Sequence, residues 1–382
     1  MQTNYDEALV PDYELPDPLI DASGQPVTTA AQWRQQRRGE ILQLFEGHVY
    51  GSMPDPWADP HVRLDERDDS ALAGGAIRRQ TRLRFGNGDH APTMDLLLYL
   101  PAAVSAGPVP VFLGLNFCGN HSIHKDPGIR LSTGWMSGKG EKGVINHRAT
   151  EAGRGSQASR WPVEQILDRG YGLATIYCGD LDPDFDDDYG NGVHPLFYQV
   201  GQTRPGPGEW GSIGAWAWGL SRGLDLLQQD PDVAATRVSV MGHSRLGKTA
   251  LWAGASDERF ALVISNNSGC GGAALARRRF GETVATINKA FPHWFCDNHR
   301  QYDEREHLLP VDQHELIALA APRPVYIASA VEDRWADPRG EYLAALHAGP
   351  VYELLGGCGL DSRRSPQIDE PLTEMSIGYH VQ

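Results

Sequence analysis

The stretch TRVSVMGHSRLGKTALWAGA, residues 236–255, decides the fold of this chain. It begins with a short β-branched run in which Val238 and Val240 are typical of a buried strand. The residues Gly-His-Ser-Arg at 242–245 form a tight turn, and apolar residues follow at helical spacing from Leu246 onward. The stretch therefore predicts a strand, a sharp turn with serine at its tip, and then a helix.

A serine at the tip of such a turn is placed to act as a nucleophile. Strand, sharp turn and helix in this order form the nucleophile elbow of α/β-hydrolases. The turn holds the serine in a strained conformation, and small glycines let the strand and the helix approach each other closely. We therefore predict Ser244 as the nucleophile, although the spacing is G-x-S-x-x-G rather than the commoner G-x-S-x-G.

The elbow also resembles a narrower family. GHSRLGK at 242–248 is similar to the GCSRxGK signature of the glucuronoyl esterases, carbohydrate esterase family 15, and differs from it only at His243, where the family has cysteine. The resemblance covers most of the chain from about Trp33 and points to a bacterial-type member. It continues through NSGCGG at 267–272, RFGE at 279–282, FPHWF at 291–295 and EDRWADP at 332–338. It implies a serine carboxylic-ester hydrolase, 4-O-methyl-glucuronoyl methylesterase-like, that needs no cofactor.

Apolar runs elsewhere predict an α/β architecture. Continuous runs predict buried strands, alternation predicts an early antiparallel hairpin, and 3.6-residue spacing predicts helices. Together they predict an α/β-hydrolase fold, with a mainly parallel sheet and helices on both faces. The predicted elements are strands at 109–115, 172–177, 261–265, 325–330 and 351–355, a hairpin from 79–85 and 93–100, and helices at 30–47 and 216–228.

The chain is predicted to have one catalytic domain. Residues 1–29 are rich in Pro, Asp and Gly and are expected to form an extended N-terminal arm. Residues 30–382 are expected to form a single α/β-hydrolase domain, whose C-terminal end we expect to be incomplete.

Charge and hydropathy exclude several classes of function. The 34 basic and 49 acidic residues give a formal net charge of −15, which argues against nucleic acid and anionic membranes as partners. No apolar run approaches the length of a membrane span. The N-terminal residues MQTNY lack the charged and apolar regions of a signal peptide. No metal site is predicted.

The acid of the catalytic set has two candidate positions. In this fold the chain order is serine, acid, histidine. Many family members have a glutamate just before the Ser-Gly-x-Gly-Gly run, but this chain has Asn267 there, which cannot stabilise an imidazolium. Asp333, just after the predicted strand 325–330, matches the acid that some bacterial members use, and we predict it as the acid.

The catalytic base is left unassigned. In the family it lies a few residues after a Gly-Tyr-His-Val-Arg-like strand, which corresponds to 378–382, so the matching position would fall past Gln382. His380 matches the strand and not the base. The chain as written could therefore be a poor catalyst.

The resemblance also assigns oxyanion and substrate contacts. The backbone N–H of Arg245 follows the nucleophile and is predicted to stabilise the oxyanion, with the guanidinium as a second donor. Lys248 and Glu282 are implied to bind sugar hydroxyls, and Trp335 to stack on the sugar ring. A sugar-binding glutamine of the family is replaced near Ala290, which leaves the exact uronic acid open.

The leading hypothesis is therefore an esterase that hydrolyses (4-O-methyl-)glucuronic acid esters in lignin–carbohydrate material of the plant cell wall. It would be a secreted or periplasmic monomer. The first alternative is another carbohydrate ester hydrolase, an acetyl xylan esterase or a uronate methyl esterase. The second is an inactive carbohydrate-binding remnant that lacks the catalytic histidine.

Overall fold

The computed structural model describes residues 3–55, 60–88, 91–102, 107–138, 142–363 and 366–382. The chain divides into two compact units. The first contains the chain up to Met53, Gly206–Ala217 and Val240–Gln382, and the second contains Pro54–Pro205 and Trp218–Ser239. The division into an arm, 1–29, and a domain, 30–382, stays a prediction.

The second unit contains a sheet that begins antiparallel and turns parallel. Its strands are β1 (His61–Ser70), β2 (Ala76–Arg84), β3 (Thr93–Pro101), β4 (Val109–Asn116), β7 (Gly172–Tyr177) and the part of β8 (Val233–His243) up to Ser239, in the order β1-β2-β3-β7-β4-β8. Two short strands, β5 (Val144–Ile145) and β6 (Arg148–Ala149), pair separately. The β2–β3 register runs from Ala76–Pro101 to Arg84–Thr93 and confirms the predicted hairpin. β7 and β4 pair in parallel, and all six residues of β7 are buried, as their continuous apolar run predicts.

The strands of the first unit bring three loops to one edge. β8 ends in this unit and neighbours β9 (Leu262–Asn266), and β10 (Val325–Ser329) pairs in parallel with both β9 and β11 (Ile377–Val381). The carboxyl ends of parallel strands meet at the same edge of a sheet. Ser244, Asn267 and Asp333 follow β8, β9 and β10, so this edge carries the nucleophile and both candidate acid positions.

Helices follow the predicted pattern, with one long irregular segment. Residues 30–50 form a continuous helical run in which α1 (Ala30–Gln32) and α2 (Arg38–Phe45) alternate with wider turns, Trp33–Arg37 and Glu46–Tyr50. Trp33, Ile41 and Phe45 are fully buried on its inner face. The other helices are a single turn α3 (Ala71–Gly74), α4 (Val163–Asp168), α5 (Ser212–Gln229), α6 (Arg245–Ser256), α7 (Val284–Ala290), α8 (Gln313–Ala318), α9 (Pro338–His347) and α10 (Gly349–Leu354). None of the helices in the described residues has the length and apolar character of a membrane span.

The predicted strand at 351–355 is wrong, because this run forms the end of α10. Pro350 stands in the first turn of that helix, where a missing N–H costs nothing. Val351 and Tyr352 are fully buried within it. A short apolar run does not by itself distinguish a buried strand from a buried helix, and here the helix is formed.

Residues 3–29 contain little regular structure. A single turn, Glu7–Leu9, begins at Asp6, whose carboxylate accepts a hydrogen bond from the backbone N–H of Ala8. Further along, Ile20 and Pro26 form an isolated bridge. Within the first unit this segment is held by Glu7, which pairs with Arg278 and Arg339.

Candidate active site

Ser244 lies on a strained turn between β8 and α6, as the elbow motif predicts. Its backbone has φ 57° and ψ −129°, a region that L-residues rarely adopt. Its N–H donates to the carbonyl of Asn266 at 2.9 Å, which ties the turn to the end of β9. A side chain at position 242 would collide with the carbonyl of Leu246, so only glycine fits there. Such strain costs about 1–3 kcal/mol and is typical of active sites.

The two candidate acid positions are neighbours. Nδ2 of Asn267 donates to Oδ2 of Asp333 at 3.2 Å, and the other oxygen of Asp333 accepts from the N–H of Ala336 at 3.4 Å. Asn267 also has a positive φ of 45°, and its N–H donates to the carbonyl of Ala328 at 2.8 Å. A carboxylate at either position would therefore reach the same small region beside the elbow strands.

A buried carboxyl group supports both of these loops. Oε1 of Glu341, on α9, accepts from the N–H groups of Ser268 and Gly269 at 2.7 and 2.9 Å. Oε2 accepts from the hydroxyl of Ser329, the last residue of β10, at 2.5 Å. Burial raises the pKa of Glu341 to about 7. Sequence reasoning missed this residue, and no local signal distinguishes it from a surface helix glutamate.

Lys248 and Glu282 form a buried ion pair. Nζ of Lys248 donates to Oε2 of Glu282 at 3.1 Å and to the carbonyls of Ser268 and Cys270 at 2.6 and 2.5 Å. Because an ammonium has three donors, these bonds fill its capacity. Lys248 therefore holds the carboxylate and the 268–270 loop, while Oε1 of Glu282 makes no hydrogen bond within the described residues.

Trp335 is a backbone neighbour of Glu282. The N–H of Glu282 donates to the carbonyl of Trp335 at 2.9 Å, so the two residues are backbone neighbours. The Trp335 side chain is among the exposed large hydrophobic groups, with 39% of its surface accessible. An exposed indole offers a flat apolar surface to a sugar ring, and a carboxylate oxygen can accept hydrogen bonds from sugar hydroxyls.

Arg245 is oriented by an aromatic side chain that sequence reasoning did not single out for this role. Its guanidinium carbon lies 5.8 Å from the ring centroid of Trp294, within the range of a cation–π interaction. Trp294 in turn stacks on Phe291, with ring centroids 3.8 Å apart and planes at 2°. This stack limits the positions that the guanidinium can take beside the elbow.

The structure assigns no base. Within the described residues no histidine hydrogen-bonds to Oγ of Ser244 or to the carboxylate of Asp333. His380 lies in β11, in register with Ala328 of β10. His347 lies on α9, 6.4 Å from the ring of His314.

A strained serine between a strand and a helix, on a mostly parallel sheet covered by helices, defines the class as an α/β-hydrolase. Similarity to known proteins identifies the family within that class. A family model for glucuronyl esterases of fungi matches residues 188–356. Carbohydrate esterase MZ0003, from an unknown prokaryotic organism, is 54% identical over 379 residues, which is 99% of this chain and 87% of that protein.

Two solved structures are also similar, each with a TM-score of 0.92. A promiscuous family 15 esterase from a marine bacterial metagenome is 52% identical, with 100% of this chain and 94% of that chain covered. The glucuronoyl esterase from Solibacter usitatus is 47% identical, with 98% and 94% covered. The chain belongs to the glucuronoyl esterase family, carbohydrate esterase family 15, a family of carboxylic-ester hydrolases with the α/β-hydrolase fold. The resemblance and fold class predicted from the sequence are thereby confirmed.

Proposed function

We propose that this chain hydrolyses esters of glucuronic acid through an acyl-enzyme formed on Ser244. The observation that carries the proposal is the strained serine at the elbow, in the same unit as the Lys248–Glu282 pair and the exposed Trp335. Close similarity to a glucuronoyl esterase supports the choice of acyl group.

In this mechanism Oγ of Ser244 attacks the ester carbonyl carbon and passes its proton to a histidine base that is still to be assigned. The carbonyl oxygen becomes an oxyanion, stabilised by the backbone N–H and the guanidinium of Arg245. Collapse of the intermediate expels the alcohol, which takes the proton. Water then hydrolyses the glucuronoyl-enzyme, releasing glucuronate and restoring the serine. Asp333 orients and stabilises the protonated base, and the hydrogen bond from Asn267 fixes the carboxylate of Asp333.

The sugar of the acyl group stacks on Trp335, and one of its hydroxyl groups donates a hydrogen bond to the carboxylate of Glu282. Lys248 holds that carboxylate in place, and so contributes to sugar binding through Glu282. The natural ester belongs to lignin–carbohydrate material of the plant cell wall. We accordingly place the enzyme outside the cell or in the periplasm, acting as a monomer without a cofactor.

The first experiment is hydrolysis of benzyl glucuronate by this chain, with Ser244→Ala as the control. Turnover that the variant abolishes is the expected result, and it would require a base within these residues, with His380 as the first to test. A folded chain that neither turns over the ester nor reacts at Ser244 with an organophosphonate would overturn the proposal and favour a carbohydrate-binding remnant.

A second candidate is a broader carbohydrate ester hydrolase. The name of one close structural relative describes it as promiscuous, and the family glutamine is replaced near Ala290. Comparing kcat/KM for benzyl glucuronate, methyl glucuronate and acetylated xylan separates the two. A preference for acetyl esters would make deacetylation the main activity.

A further inference from the structure

The two residues proposed to contact the sugar, Glu282 and Trp335, lie on separate loops. Glu282 precedes α7, and Trp335 lies in the turn Arg334–Ala336, which follows β10. The hydrogen bond from the N–H of Glu282 to the carbonyl of Trp335 joins the loops, and a side chain at Gly281 would collide with that carbonyl. Because the carboxylate and the indole belong to different loops, their relative position depends on the other contacts that hold the two loops together.

The N-terminal segment contacts both loops next to that hydrogen bond. The N–H of Gly281 donates to the carbonyl of Asn4 at 2.8 Å. The ring of Tyr5 meets the ring of Phe280 edge-on, with centroids 6.2 Å apart. The guanidinium carbon of Arg334 lies 5.3 Å from the centroid of the Tyr5 ring, within the range of a cation–π interaction. Tyr5 therefore contacts one residue from each loop, close in sequence to the two proposed sugar contacts.

Glu7 adds a second link between the same loops. Its Oε1 accepts a hydrogen bond from Arg278 at 2.7 Å, and its Oε2 accepts one from Arg339, in the first turn of α9, at 3.0 Å. Arg278 also donates to the carboxylate of Asp337 at 2.8 Å. Asp337 has a φ of 53° and caps α9, directly after the turn that carries Trp335. This network of ion pairs therefore connects the two loops independently of Tyr5.

These N-terminal residues make the contacts without entering the core. Every residue from Tyr5 to Leu9 is exposed, with 38% of the surface of Tyr5 and 69% of that of Leu9 accessible. Because hydrophobic burial is the dominant favourable term in folding, residues this exposed are expected to add little to global stability. Their polar and aromatic contacts act instead on the position of the two loops.

We propose that residues 4–7 form a clamp that positions Glu282 and Trp335 relative to each other, and that this N-terminal clamp thereby sets the affinity of the site for the glucuronoyl group. Its residues are positioning residues, because they act through the two side chains that contact the sugar. The proposal rests on the proposed function for the role of Glu282 and Trp335. It implies that clamp variants lose affinity while the reactivity of Ser244 is unchanged.

Calorimetric binding of benzyl glucuronate to the Ser244→Ala chain is the first test, because the ester is not turned over. In that background Tyr5→Ala and Glu7→Ala should each weaken binding about three-fold, and together about ten-fold, as expected for exposed cation–π contacts and ion pairs. Tyr5→Phe keeps the ring and should restore the parent affinity. Leu9→Ala is the matched control, since it truncates an exposed side chain of the same segment. Parent affinity in Tyr5→Ala/Glu7→Ala would overturn the proposal.

Urea unfolding and phosphonate labelling of Ser244 separate positioning from a general loss of structure. The double variant Tyr5→Ala/Glu7→Ala, made with Ser244 intact, should unfold at the same urea concentration as the parent chain and react with the phosphonate at the same rate. A double variant that unfolds at lower urea and also labels more slowly would show that the whole unit has loosened. That result would overturn a specific positioning role.

Hydrogen exchange tests the clamp without a ligand. The N–H groups of Gly281 and Glu282 make the two backbone hydrogen bonds described above, so exchange in peptides over 279–283 and 333–337 reports on the joined loops directly. The double variant should lose protection there and keep it in α6. If the parent binds the ester and the double variant changes neither affinity nor protection, the clamp fails and the esterase site stands. If the parent does not bind the ester but protection is still lost, the proposed function fails and the clamp stands.

Discussion

Replacing Lys248 with methionine tests the buried ion pair at the centre of the site. Lys248 is 3% exposed and Glu282 is 8% exposed. The substitution keeps most of the side-chain volume but removes three hydrogen bonds, to Glu282, Ser268 and Cys270. It leaves one carboxylate and two carbonyls facing an apolar side chain.

The expected loss of stability follows from the polar groups that the substitution leaves without a partner. Removing one partner of a buried pair costs about 3–5 kcal/mol, because the remaining charge has no compensation. Glu282→Gln should cost less, about 1–2 kcal/mol, since the ammonium keeps both carbonyls and can still donate to the amide oxygen. In Lys248→Met/Glu282→Gln the uncompensated charge is gone. We therefore expect the double variant to be more stable than Lys248→Met alone, with a coupling energy of about 1–3 kcal/mol.

Urea unfolding followed by fluorescence and circular dichroism provides the measurement. Lys289→Met is the matched control, because the same substitution at an exposed lysine should change the free energy of unfolding by less than about 0.5 kcal/mol. A loss below about 1 kcal/mol in Lys248→Met, or single-variant losses that simply add in the double variant, would refute the reasoning. The ion pair would then carry no stability in this fold.

Three further predictions concern the supports of the elbow. The pKa of Glu341 is raised to about 7 from 4.5, so between these pH values the folded state binds more protons than the unfolded state, and this group's contribution to stability falls as pH rises. In thermal unfolding from pH 4.5 to 8, Glu341→Gln should remove that fall and gain up to about 3 kcal/mol in stability relative to the parent chain at pH 8. A stability difference between the two chains that stays constant across pH would contradict this prediction. Asn267→Ala should lower kcat/KM for benzyl glucuronate about ten-fold through the lost hydrogen bond to Asp333, and an unchanged rate would remove Asn267 from the site. Trp294→Leu should lower kcat more than it raises KM, because it frees the guanidinium of Arg245, and a change in KM alone would assign Trp294 to sugar binding.

Sequence predicted the elbow well because its constraints are local. Gly242, Ser244 and Gly247 occupy positions that the turn geometry dictates, and the structure shows the strained serine and the excluded side chain at 242. The order of strands along the chain predicted that Asn267 and Asp333 would lie near the elbow. The distance of 3.2 Å between their side chains could not be predicted, because it depends on the positive φ of Asn267.

The sequence does not show which charged side chains are buried. Lys248 has the spacing of a surface helix lysine, yet all ten residues from Leu246 to Ala255 are buried, so α6 has no exposed face there to reveal by periodicity. Glu341 is also fully buried, on the inner face of α9 beside Ala344 and Ala345. The wrong strand at 351–355 has a related cause, since a run of only five residues, four of them apolar, satisfies either period until tertiary packing decides.

The supports of the site explain why strained residues persist there. Ser244, Asn267 and Asp337 all have positive φ, and each such residue costs about 1–3 kcal/mol. The segment 266–270, which follows β9, receives the restraints that hold the first two: Asn266 accepts from Ser244, Glu341 accepts from Ser268 and Gly269, and Lys248 donates to Ser268 and Cys270. Asp337 is held by Arg278, which also binds Glu7 of the N-terminal segment. Because the restraints on segment 266–270 hold the strained residues at both the elbow and the position beside Asp333, losing any of them should reduce turnover of benzyl glucuronate.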